Sequence, residues 1–161
     1  MFKGHTYTIE DIALSPNGRS LVTGSQDASV RTWNLRDGSS KVMPVTEKIF
    51  WFNAVTFSPD GRYIAARHIY DALWIWDSRT HKLVAKLQGH IAGVSCIEFT
   101  PDGQGLMYGS DDWTIKYWDI SSLGTGSDSQ SFPEIRTFSG HSAVFFRSLL
   151  SYTLTETTGP H

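Results

Sequence analysis

The chain has 161 residues, 40% of them hydrophobic, and carries 14 Lys and Arg against 16 Asp and Glu, a net charge of -2. This balance gives no electrostatic basis for binding nucleic acid or a membrane surface. No run of about 18 apolar residues could cross a bilayer, and no apolar secretion signal precedes the first predicted strand, so we expect a soluble, intracellular chain. The single cysteine, Cys96, which we expect in a buried strand, excludes an intramolecular disulfide framework.

The first segment alternates short apolar runs with turn residues, the pattern of antiparallel strands joined by tight loops. The four strands predicted here are Ile9–Ser15, Ser20–Ser25, Ser29–Asn34 and Lys41–Thr46. Gly4-His5 opens the segment, and Trp33 follows His5 by 28 residues.

The same frame recurs twice along the chain. His90 precedes Trp118 by 28 residues, as His5 precedes Trp33, and a middle copy ends at Trp76-Asp77. In all three copies a turn proline precedes the tryptophan by 17 residues, and the tryptophans are 43 and then 42 residues apart. Blade repeats of β-propellers have a period of about 40–45 residues. The chain therefore contains a true internal repeat.

The Gly-His to Trp-Asp frame resembles the WD40 family of β-propeller repeats. The resemblance implies an all-β, incomplete propeller of three four-stranded antiparallel blades and a truncated fourth. The predicted repeats are residues 1–46, a degenerate 47–88, 89–139 with a polar insertion at 121–131, and a broken repeat with its tail at 140–161. Propellers close with about 4–8 blades, so three blades belong to a larger ring or are completed by other copies.

In the WD40 family a histidine, a strand hydroxyl, a turn aspartate and a tryptophan form a hydrogen-bonded tetrad. The resemblance assigns these roles to His5, Thr23, Asp27 and Trp33 in the first repeat. In the third it assigns His90, Asp112 and Trp118, with Tyr108 in place of the hydroxyl residue. Buried imidazole and indole N–H groups need partners, and each bond contributes about 0.5–1.5 kcal/mol, so we interpret the tetrad as structural.

The second repeat lacks the tetrad, because Glu47-Lys48, Ala66 and Tyr70 stand at its positions. We expect apolar packing to hold this blade. The residues predicted to pack are Phe52, Val55, Phe57, Ile64, Leu73, Ile75 and Trp76. Trp74 alternates with Leu73 and Ile75, so it should point at a neighbouring blade or at solvent.

Three stretches of the chain resemble one group of propellers more than the others. They are LVTGSQDASVRTWNLRDG, then AVTFSPDGRYIAA with LWIWDSRTHKLV in a repeat without Gly-His, then GHIAGVSCIEFTPDGQGLMYGSDDWTIKYWDI before a Ser-rich insertion. This order resembles the C-terminal propeller of fungal transcriptional co-repressors of the Tup/Groucho type. The resemblance implies a nuclear interaction scaffold that recruits DNA-bound repressors and contacts histone tails.

Propellers of this family bind partners on the narrow face formed by the loops before the first strand and between the second and third strands. The resemblance places nine residues on that face: Tyr7, Thr8, Gln26, Phe50, Trp51, Tyr70, Ala92, Asp111 and Trp113. Exposure of Phe50 or Trp51 would indicate a partner anchor. The alternative for Phe50 and Trp51 is packing of the blade, and the alternative for all nine is that they are simply loop residues.

Nothing in the sequence favours catalysis. No G-x-x-x-x-G-K-S/T phosphate loop and no G-x-S-x-G nucleophile elbow occur, and the histidines are not paired at zinc-site spacing. We expect no catalytic residue, metal or cofactor. Two alternatives to the co-repressor remain: a generic WD40 adaptor outside transcription, in the cytoplasm, or a propeller piece without independent activity, whose open sheet faces favour self-association.

Overall fold

The strands follow from the alternation of apolar and turn residues along the chain. The computed structural model describes residues 2–45, 51–68, 72–88, 94–124 and 134–139. Within these residues the strands are β1 Ile9–Leu14, β2 Ser20–Ser25, β3 Val30–Asn34, β4 Ser40–Val42, β5 Phe52–Phe57, β6 Tyr63–His68, β7 Ala72–Asp77, β8 Leu83–Gln88, β9 Val94–Phe99, β10 Gly105–Ser110, β11 Thr114–Asp119 and β12 Glu134–Ser139.

The strands form three four-stranded antiparallel sheets, each made of strands consecutive in the chain: β1 to β4, β5 to β8 and β9 to β12. We call these sheets blade one, blade two and blade three. They confirm the predicted all-β architecture. The truncated fourth repeat predicted at 140–161 lies outside the described residues, as does most of the insertion at 121–131.

The last strand of blade one is shorter than predicted. β4 ends at Val42 rather than Thr46, although Met43 N still donates to Val30 O at 2.8 Å. Pro44 follows, and proline has no N–H to continue the ladder. The strand therefore ends because the backbone N–H of Met43 is the last one that can donate to β3 before Pro44.

Blade two is buried on both faces. Toward blade one, Trp74 and Trp76 stack with ring centroids 6.0 Å apart and pack with Val22, Val30 and Met43. Trp74 thus faces the neighbouring blade, one of the two environments predicted for it.

The opposite face of blade two packs against blade three. Leu73 and Ile75 meet Ile97, Phe99 and Leu106 there. Cys96 is half-buried rather than buried, because side chains alternate along β9 and Ile97 and Phe99 take the buried positions.

The first strands of blades one and two begin side by side. Val55 N donates to the Asp11 carboxylate at 2.8 Å, and a Cβ at Gly24 would lie only 3.1 Å from the backbone oxygen of Phe52. Glycine permits this close approach of two backbones. The loops that precede β1 and β5 therefore lie at the same end of the molecule.

Candidate functional site

The four residues assigned to the tetrad of blade one lie together in a chain of hydrogen bonds. Trp33 Nε1 donates to Thr23 Oγ1 at 2.8 Å, and Thr23 Oγ1 lies 2.6 Å from His5 Nε2. On the other side of the ring, His5 Nδ1 lies 2.8 Å from Asp27 Oδ2. A carboxylate can only accept, so these partners assign the proton to Nδ1 and leave Nε2 to accept from the threonine hydroxyl.

The Asp27 carboxylate is the electrostatic centre of this network. Burial alone would raise its pKa, but hydrogen bonds from the Ser29 hydroxyl at 2.5 Å and the Thr6 N–H at 2.9 Å, with His5 beside it, lower the pKa of Asp27 to about 2. The carboxylate is therefore charged across the physiological range. Its side chain and that of His5 are buried.

The network is closed at each member, which decides what it can do chemically. Both ring nitrogens of His5 are engaged, and the Thr23 hydroxyl lies between the imidazole and the indole. Asp27, His5 and Thr23 are bonded in the order of a catalytic triad, but the Thr23 hydroxyl is buried and accepts from the Trp33 N–H, so a substrate cannot reach it. This arrangement instead ties β2 and β3 to the segment before β1.

Blade three has the tryptophan and the aspartate of the tetrad, but the residue at the position of the strand hydroxyl differs. Tyr108 takes the place of Thr23 and stacks on Trp118, with ring centroids 6.4 Å apart and planes inclined by 11°. Trp118 Nε1 is buried and finds no acceptor among the described residues. Asp112 Oδ1 accepts from the N–H and hydroxyl of Thr114 at 3.0 and 2.6 Å. His90 lies outside the described residues.

In blade two the tryptophan finds a partner that the sequence does not reveal. Ala66 is buried where Thr23 stands in blade one, and Trp76 Nε1 donates to Pro44 O at 2.9 Å. Pro44 belongs to the segment after blade one, 32 residues away, so this bond joins two blades. A local pattern carries no signal for such a contact.

Exposed aromatic side chains mark one end of the blades. Tyr7 is 69% exposed before β1, Trp51 is 38% exposed before β5, and Trp113 is 54% exposed between β10 and β11. Since Ile9 pairs with Ser25 and Ser110 with Val94, each lies at the end where its sheet's first strand begins. We call this surface the aromatic end.

Trp113 also has an unusual backbone. Its φ is 67°, in the left-handed region, at the turn position where Ala28 of blade one has φ 64°. A residue with a large side chain rarely adopts this conformation, which costs on the order of 1 kcal/mol or more. The turn thus holds a strained tryptophan out in solvent.

The other residues assigned to the partner face belong to the loop before β1 and to the β2–β3 and β10–β11 turns, or lie outside the described residues. Thr8 O accepts from Gln26 N at 2.9 Å, and the Gln26 carboxamide donates to Glu10, so these residues brace the loop beneath Tyr7. Asp111 is exposed next to Asp112. Three predicted members, Phe50, Tyr70 and Ala92, lie outside the described residues.

Comparison with known proteins identifies the repeat. The family described as WD domain, G-beta repeat matches residues 1–34 and 81–119. These two stretches of the chain are WD40 repeats. WD40 repeats are typically non-catalytic modules, and the degenerate second blade shares their strand order without matching over most of its length.

Three relatives of the chain carry names from different processes. The chain is 30% identical to "Protein groucho" of Drosophila melanogaster over 70% of its length, and 35% identical to "Guanine nucleotide-binding protein subunit beta-2" of Caenorhabditis elegans over 68%. It is 31% identical to "Pre-mRNA-processing factor 19" of Caenorhabditis elegans over 74%. The chain spans only 16%, 30% and 25% of these relatives, respectively.

Solved structures agree on the WD40 fold. Structures of U3-55K and of the RRP9 WD40 repeats each superpose with a TM-score of 0.77 over 88% of this chain, at 20% and 21% identity. The chain covers 42% and 41% of those two. In the part of the chain that the structure describes, no helix is long and apolar enough to cross a membrane, and no group of acidic, His or Cys side chains could hold a metal ion.

The WD40 repeats also show which sheet faces are uncovered. Ile12 of blade one is 57% exposed, whereas Val55, at the equivalent position of blade two, is 5% exposed because blade one covers it. At the far side, Phe138 of blade three is exposed where Met43 and Leu87 of the other blades are buried. Both outer faces of the three blades thus carry residues that blades bury against one another.

Proposed function

We propose that this chain serves as a protein-interaction scaffold that binds its partners at the aromatic end, where Tyr7, Trp51 and Trp113 are exposed. The observation that carries the proposal is Trp113, held in solvent at a strained turn. Aromatic side chains contribute much of the binding energy at protein interfaces, and backbone strain of this kind clusters at functional sites.

We further propose that the scaffold acts in the nucleus as part of a co-repressor of the Tup/Groucho type. The order of its repeats and its similarity to the Drosophila melanogaster groucho protein support this. The partners would be DNA-bound repressors and histone tails, whose basic side chains stack well on exposed indole and phenol rings. A WD40 adaptor outside transcription is the second candidate, favoured by the comparable similarity to the other two relatives.

A substitution at Trp113 tests the proposal without straining the turn. Asparagine tolerates a positive φ, so Trp113→Asn removes the aromatic ring and keeps the backbone. The matched control is Ala28→Asn at the equivalent turn of blade one. We expect binding of histone tail peptides, measured by fluorescence anisotropy, to weaken at least tenfold in Trp113→Asn alone.

The outcomes separate the two levels of the proposal. If the unsubstituted chain binds no histone tail, the co-repressor assignment is wrong. In that case affinity capture followed by quantitative mass spectrometry compares the proteins retained by the original chain and by Trp113→Asn. Equal retention of every partner would refute the aromatic end as the binding surface.

A further inference from the structure

The end opposite the aromatic end contains a polar cavity between blades one and two. Its volume is about 290 Å³, and it lies where the β1–β2 and β5–β6 turns meet the turns that follow β3 and β7. Ser20, Thr32 and Lys41 line it from blade one, and Ser78 and His81 line it from blade two. Thr32 Oγ1 and His81 Nε2 lie 3.4 Å apart across the gap.

The equivalent space between blades two and three is filled. Strand pairing aligns Ser20 with Tyr63, Thr32 with Ile75 and Lys41 with Ala85. Counting from the last residue of β7 and β11 aligns Ser78 with Ile120 and His81 with Leu123. All five of these replacements are buried in the apolar cluster that joins blades two and three, and Tyr63 Oη donates to Leu123 O at 2.8 Å.

The two interfaces therefore differ at the same five positions, polar in one and apolar in the other. Apolar residues would seal the first interface as they seal the second, and burial would stabilise the fold by about 25 cal/mol per Å². A WD40 interface that keeps five polar residues around an open cavity forgoes that stabilisation. A polar ligand held in the cavity would account for the exchange.

The charge of the cavity indicates the class of ligand. Among the described residues that line it, the ionisable side chains are both basic, Lys41 and His81, and none is a carboxylate. Burial, and then the nearby Lys41 ammonium, lower the pKa of His81, while Asp77 opposes them. The Asp77 carboxylate is already bonded to the N–H groups of Arg79 and Thr80 and to the Thr80 hydroxyl, at 2.7–3.1 Å.

We propose that this cavity binds a compact oxyanion, a phosphate or sulfate group, between Lys41 and His81. The ammonium of Lys41 and the protonated Nε2 of His81 supply charge-assisted hydrogen bonds, and the hydroxyls of Ser20 and Thr32 supply neutral ones. The anion relieves the repulsion between the two cations, since it lies between them. The site is separate from the aromatic end and does not depend on the function proposed there.

Because the histidine must be protonated, binding and protonation are linked. The anion raises the pKa of His81, and by reciprocity its affinity rises as the pH falls. Sulfate is the cleaner probe, since it keeps its double negative charge between pH 5 and 8 while phosphate gains a proton. We expect the affinity of the 161-residue chain for sulfate to be at least tenfold higher at pH 5.5 than at pH 7.5.

The experiment follows the His81 ring by NMR in sodium sulfate and in sodium chloride of equal ionic strength. His81→Asn identifies the resonance, since asparagine tolerates the φ of 59° at this position. Lys41→Met removes one cation of the site, and Lys82→Met, an exposed neighbour that does not line the cavity, is its matched control. We expect sulfate to raise the pKa of His81 in the original chain and in Lys82→Met, and to have at least tenfold lower affinity for Lys41→Met.

An equal response to chloride and sulfate, or equal losses in the two lysine variants, would overturn the proposal. Neither lysine is buried, so we expect both variants to keep the fold. Thermal melting of each variant checks this. Repeating the titration with inorganic phosphate and with phosphoserine identifies the source of the anion. Binding of both assigns the cavity to a phosphate monoester, and binding of inorganic phosphate alone assigns it to the free ion.

Discussion

Blade one and blade two share a strand order and a register, yet different interactions hold them. In blade one a buried network from Asp27 through His5 and Thr23 fixes Trp33. In blade two Ala66 replaces the hydroxyl, and Trp76 is fixed by packing and by a bond to Pro44 of the preceding segment. The sheet therefore does not require the network. The alternation of apolar residues and the turns specify the blade, and the network adds local stability.

The largest effect is expected in blade two, which packing holds without the network. Trp76→Ala removes a fully buried ring that contacts both Trp74 and Phe52, and we expect it to lower the free energy of unfolding by about 3–5 kcal/mol. Chemical denaturation followed by fluorescence or circular dichroism measures the change. The same substitution at half-exposed Trp51 is the control, with an expected loss under about 1 kcal/mol.

A variant of the same residue separates packing from hydrogen bonding. Trp76→Phe keeps most of the buried ring and loses the bond to Pro44. We therefore expect it to lower the free energy of unfolding by about 1 kcal/mol more than Trp74→Phe does. Trp74 Nε1 has no acceptor in the described part of the chain. Equal costs for the two variants would show that the bond between the blades contributes nothing.

Exchanging the central residues of the two blades tests the network itself. Thr23→Val keeps the shape but leaves His5 Nε2 and the Trp33 N–H without a partner, at a cost of about 1–3 kcal/mol. The reciprocal Ala66→Thr places a hydroxyl in a buried apolar setting and should also destabilise, by about 1–3 kcal/mol. Denaturation midpoints of both variants measure the effect. A neutral Thr23→Val would mean that the network is dispensable in blade one as well.

These contrasts show what the sequence could and could not predict. Equal spacings predicted the three sheets, and β2 runs over its predicted residues, because the pattern of strands and turns is local. The offsets of the repeat also placed Thr23 and Trp33 on facing strands. The bond from Trp76 to Pro44 and the cavity beside His81 could not be predicted, since both depend on how separate blades meet. The short β4 could have been predicted from Pro44.

The effect most specific to blade one is expected in acid. The pKa of Asp27 is about 2 in the folded chain against an ordinary 3.8, so the unfolded chain binds the proton more readily. The charged Asp27 carboxylate therefore contributes about 1–2 kcal/mol to the free energy of unfolding. This contribution is complete above about pH 5 and is lost as the pH falls through 3.8 toward 2. Denaturation midpoints from pH 7 to pH 2.5 measure this decline.

In Asp27→Asn the midpoint should be lower at neutral pH and should fall less between pH 4 and 2.5. An unchanged acid slope in that variant would show that other carboxylates, such as Asp60 or Asp77, whose pKa values are also lowered, cause the decline.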